Sequence, residues 1–113
     1  MIGEGINSGT AVKSNLIITN QVDWVQLMNL LTPYNTNNFT QKEIDFTRFE
    51  LLVSIDGTRP STGYSIAISK VIENRSNITA TVTSTFGGSG YTIFSQPFYI
   101  VKIPKLNKPI VFQ

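Results

Sequence analysis

Acid–base or covalent chemistry in this 113-residue chain would have to come from seven carboxylates, nine cationic side chains and four tyrosines, because the sequence holds neither histidine nor cysteine. That double absence removes serine and cysteine nucleophiles activated by imidazole, the usual zinc sites, disulfides, and the side chain best suited to proton transfer near neutral pH. A carboxylate pair of the glycosidase kind needs two acids facing one cleft at a fixed separation. Nothing in the spacing pairs them: Glu4, Glu43, Asp45, Glu50, Asp56 and Glu73 fall at element ends or on polar faces, where solvated charge is expected, and Asp23 suits the first turn of a helix. No catalytic residue, metal ligand or cofactor is assigned, and the sequence reads as a binding domain, not an enzyme.

The segments that invite a function are loops. Residues 57–64 (GTRPSTGY) carry more conformational specification than a plain connection needs: Pro60 fixes φ, Gly63 permits a left-handed turn, and Tyr64 opens the next strand. A rigid loop presenting an arginine and a tyrosine suits a protein interface. Residues 87–91 (GGSGY) could let backbone amides reach an anion, but no GK[ST] ending follows and a strand-like segment, not a helix, comes next. An interaction loop flanked by Phe86 and Tyr91 fits better.

The elements that must position these loops follow from periodicity. Residues 11–19 (AVKSNLIIT) have strand composition. Asn20 is an N-cap, and Trp24, Leu27, Met28 and Leu31 then recur at helical spacing until Pro33. Strands are predicted over 49–55, over 64–73 with a bulge near Lys70, over 78–84, over 98–103 and over 110–112, with a polar turn at 74–77. The whole is one domain, 1–113, of α+β class: a mainly antiparallel sheet of five to six strands with one N-terminal helix packed on it through Trp24. No apolar run is long enough to span a membrane, and Met1 to Thr10 form a polar lead-in from which an export leader is expected to have been removed. The net charge of +2 is spread singly, so no nucleic-acid footprint is expected, and Lys102, Lys105 and Lys108 read as solvated charges.

The string RPSTGYSIAI at 59–68, a polar hairpin, SQPFYIVKIPK at 95–105 and a closing KPIVF at 108–112 resemble the C-terminal domain of the PrcB family, accessory subunits of a bacterial surface protease complex. The resemblance covers 49–113, and more loosely 12–45, where VKSNLIITNQVDW and IDF look like the longer exported or lipid-anchored versions. It implies export to the cell envelope, as a periplasmic, lipid-anchored or secreted protein, and assembly with a protease, and it carries over no catalytic residue. A fainter similarity is to chagasin-type protease inhibitors, whose three loops would correspond to 59–64, 87–90 and 96–98; here Arg59, Gln96 and Phe98 stand where those inhibitors have Asn, Arg and Trp. The expected partner-binding residues are Arg59, Pro60, Thr62, Gly63, Tyr64, Gly88, Tyr91, Pro97 and Phe98. An alternative is an envelope carbohydrate-binding or structural module using Trp24, Tyr34, Tyr64 or Tyr91.

Overall fold

The segment FELLVSI has apolar side chains on both of its faces, so as a strand it must be covered twice. The computed structural model, which describes residues 1–5, 13–31, 36, 37, 39–87 and 95–113, makes it strand β3 (Phe49–Ile55) near the middle of a three-layer arrangement. It is flanked in a four-stranded antiparallel sheet by β2 (Ser14–Ile18) and β6 (Phe98–Pro104), with β1 (Gly3–Gly5) beyond β6. The second sheet has the order β4 (Tyr64–Glu73), β5 (Ile78–Phe86), β7 (Ile110–Phe112); its last pair is parallel and every other pair in the two sheets is antiparallel.

Alternation divides β3 between two cores. Leu51, Val53 and Ile55, with Phe98 and Ile100 of β6, pack beneath helix α1 (Gln21–Leu30) against Trp24, Leu27 and Leu31. Leu52 points the other way and, with Ile103, meets Ile68, Ile78 and Ala80 of the second sheet. Burial on both sides removes water from each apolar side chain at about 25 cal/mol per Å². Asn20 does cap α1: its side-chain oxygen accepts the N–H of Asp23 at 2.8 Å. Trp24 is fully buried, donates its indole N–H to the carbonyl of Lys42 at 2.8 Å, and stacks on Phe39 with centroids 5.9 Å apart.

The fold class is as expected, α+β and mainly antiparallel with one helix on the sheet. The strand count is not: seven strands form two sheets, where five or six were expected. The extra strand is β1, which the polar reading of residues 1–10 passed over. Glycine shows no side-chain period, and β1 is held by backbone pairing of Gly3 with Ile100 and Gly5 with Phe98. A Cβ at Gly3 would overlap the Phe39 ring. The bulge expected near Lys70 is present as a register shift between Ile68 and Lys70. The first strand covers 14–18 of the expected 11–19; residues 11 and 12, and Pro33, lie outside the described residues.

Candidate functional site

The site is built where β3 ends. Asp56 is on the face of β3 turned toward the second sheet and is only 2% exposed. Its backbone N–H donates to the carbonyl of Pro97 at 2.8 Å, which ties the strand end to the start of β6. The Asp-Gly-Thr-Arg turn that follows brings Arg59 back onto the Asp56 carboxylate, with Nε 2.9 Å from Oδ2 and Nη2 3.1 Å from Oδ1. Gly57 N–H completes the set, donating to Oδ1 at 2.8 Å. A buried carboxylate needs such partners, since an unpaired one would be strongly disfavoured away from water. The hydrogen bonds to Asp56 in turn push the Arg59 guanidinium pKa up from its ordinary value.

The same guanidinium lies over the Tyr64 ring, 5.0 Å from its centroid. Tyr64 is paired across the β4–β5 ladder with Phe86, and their rings stack with centroids 4.5 Å apart and planes 28° from parallel. Phe86 is 55% exposed, so the row Asp56–Arg59–Tyr64–Phe86 runs from a buried anion to an aromatic face open to solvent.

Backbone bonds fasten the loop beneath this row. Arg59 and Ser95 exchange N–H and carbonyl groups at 2.7 and 2.9 Å as an isolated antiparallel bridge, and the Ser95 hydroxyl donates to the Ser61 carbonyl. Gly87 N–H donates to the Gly63 carbonyl at 2.9 Å. The loop 59–64 therefore meets Gly87, the one described residue of the glycine-rich segment 87–91, and Ser95, which lies just ahead of 96–98. Arg59, Pro60, Thr62, Gly63 and Tyr64 all keep some solvent exposure there. Gly88 and Tyr91 lie outside the described residues, as does Tyr34.

Three expectations are corrected. Pro97 and Phe98 are core residues and cannot offer side chains to a partner: β6 alternation turns Phe98, 1% exposed, toward Trp24 and Phe39, in phase with Ile100. Trp24 is buried and so cannot bind a sugar at the surface. Asp56 and Glu50 are not solvated charges. Glu50 is 7% exposed because the second sheet covers its face of β3, and desolvation pushes its pKa up, with Lys105 opposing the rise. The C-terminal lysines are not buried, and at the surface Lys102 meets Gln41 and the Phe49 ring, Lys105 the Phe46 carbonyl, and Lys108 Glu73 and Asn74.

Sequence reading missed the Asp56–Arg59 pair, although an Asp-x-x-Arg spacing at the close of an apolar strand is a signal that could have shown it. It also missed a cleft of about 230 Å³ between the two sheets beside Arg59, whose lining comes from five separated parts of the chain. Among the described residues, no group of three or more acids could hold a metal ion, and no helix is long and apolar enough to cross a membrane. No family model, curated protein or solved structure matches the chain. The PrcB-like and chagasin-like resemblances thus rest on the strings quoted above.

Proposed function

We propose that this chain is a noncatalytic protein-binding domain that docks its partner on the exposed end formed by Arg59, Tyr64 and Phe86. The observation that carries this reading is the stacked row itself. A guanidinium fixed by a buried carboxylate, laid on a tyrosine that is stacked on an exposed phenylalanine, presents aromatic area whose conformation is already set. Arginine and tyrosine dominate binding energy where they are held in this way, because little side-chain entropy remains to be lost on association. Three backbone ties to Ser95 and Gly87 hold the loop in the same geometry. The residue resemblance supplies the class of partner, a protease of the bacterial cell envelope to which this exported domain is an accessory subunit.

The test is capture of partners from the envelope fraction of the source organism, with the wild type beside Phe86→Ala. Phe86 packs on Tyr64 at the surface, so its truncation is expected to leave folding intact, checked by circular dichroism, and to weaken capture at least tenfold. A captured protease that stays active supports the accessory role. Equal recovery of every partner by both forms refutes the docking surface.

A further inference from the structure

Strand β2 reads SNLII, without a proline, a glycine or a charge, and it ends the first sheet: β3 pairs with one side of it, and among the described residues nothing pairs with the other. Such a border exposes a row of backbone N–H and C=O groups that can accept a further strand. The other three borders are poorer templates. β1 and β7 have three residues each, and β4 is broken by the register shift between Ile68 and Lys70, whereas β2 runs in unbroken register with β3.

β2 is also apolar on both faces. Leu16 stands opposite Val53, on the α1 side, and Ile17 opposite Leu52, on the side of the second sheet, and each leaves more than a third of its surface open. On the α1 side a groove of about 290 Å³ runs between the strand and the helix stripe Asp23, Gln26, Leu27 and Leu30, whose spacing sets one face of the helix along the border. Lys13 precedes the strand and Asp23 follows it; both are exposed, and neither forms an ion pair among the described residues.

We propose that β2 pairs antiparallel with β2 of a second copy of this chain, about a two-fold axis at Leu16. That register sets Leu16 against its own copy, Asn15 against Ile17 and Ser14 against Ile18, and it keeps both α1 helices on one face of the doubled sheet. Charge decides the direction. Antiparallel copies bring the Lys13 end of one strand beside the Asp23 end of the other, whereas parallel copies would set like ends together. A stable interface needs about 800 Å² per partner, which a five-residue strand about 17 Å long does not supply alone. The groove wall adds Leu30, which is about two thirds exposed, and Gln26 from both helices. Each copy keeps its own two cores, so the association is a reversible micromolar equilibrium between folded monomers and a dimer. The surface takes nothing from Arg59, Tyr64 or Phe86, so it stands apart from the proposed docking face.

The experiment uses the whole chain, which holds no cysteine. Sedimentation equilibrium from about 5 µM to about 1 mM is expected to show monomer and dimer in exchange. Ile17→Lys is expected to weaken the dimer at least tenfold with an unchanged circular dichroism spectrum. Lys13→Asp is expected to weaken it about fivefold, and Lys13→Asp combined with Asp23→Lys to restore it. Leu16→Cys sets two thiols face to face on the axis, so oxidation is expected to give a covalent dimer, whereas Val71→Cys on the border of β4 gives none. Amide exchange of residues 15–17 is expected to slow as concentration rises. A monomer at every concentration, an unaffected Ile17→Lys dimer, or equal cross-linking at Leu16 and Val71 overturns the proposal, and a double exchange that restores nothing overturns the antiparallel direction. Slow exchange of 15–17 at all concentrations assigns the border to another part of the same chain. Capture of an envelope protein by a monomeric wild type, lost in Ile17→Lys, assigns it to a foreign strand; either result removes the second copy.

Discussion

Replacing Arg59 with alanine isolates the ion pair on which the candidate site is built. The gross attraction between charges about 4 Å apart is about 4 kcal/mol at an effective dielectric of about 20. The net loss is set by what the variant leaves behind: Asp56, 2% exposed, with the Gly57 N–H as its remaining donor. Stripping one partner from a fully buried pair costs about 3–5 kcal/mol. The Arg59 side chain is 34% exposed, so water reaches the vacated position and screens part of that loss. About 2 kcal/mol is expected for Arg59→Ala, and about 1 kcal/mol for Asp56→Ala, in which the guanidinium turns to solvent. The double variant is expected to lose less than the two singles together, because neither group is then left alone. With a urea slope of about 1.5 kcal/mol per M, Arg59→Ala lowers the unfolding midpoint by more than 1 M at unchanged slope. If Arg59→Ala costs under 0.5 kcal/mol, or the two losses simply add, Asp56 is not held by Arg59 and the preorganisation argument fails.

Two other perturbations probe the scaffold. Glu50 has a raised carboxyl pKa in the folded protein, so the fold bears the cost of a desolvated charge above that pKa and the cost is relieved as pH falls through it toward the unfolded value. Glu50→Gln is accordingly expected to stabilise the chain near pH 7 and to gain little near pH 3, as read by thermal melts across pH; a gain independent of pH would contradict the assigned cause. Gly3→Ala forces a methyl into the Phe39 ring and is expected to cost about 1–3 kcal/mol, measured by urea unfolding, whereas an unchanged midpoint would mean that β1 does not sit against Phe39.

The helix and most strands were legible because their signals are local. Asn20 with the 24, 27, 28, 31 spacing gives α1, and polar residues at 74–77 between alternating runs give the β4–β5 hairpin. What escaped depends on which layer covers a face. Glu50 read as a solvated charge on a polar face, and only the arrival of the second sheet makes that face interior. The same cover buries Asp56 and turns a turn-forming acid into the anchor of Arg59. Phe98 was misread because a proline before an aromatic looks like a presented loop, although its phase with Ile100 already placed it in the core. The convergence of 59–64 with Gly87 and Ser95 needed the long-range pairing of strands, which no short window contains.

The irregularity at Ser69 has a use of its own. β4 is the outer margin of the second sheet, and beyond the register shift it leaves Val71 and Ile72 with more than a third of their surface open. A foreign chain attempting to zip onto this border meets amide and carbonyl groups thrown out of step, and a lysine, Lys70, at the point where the spacing breaks. Apolar residues thus sit in the open on a border whose hydrogen-bonding groups are out of register, an arrangement that disfavours edge-to-edge growth.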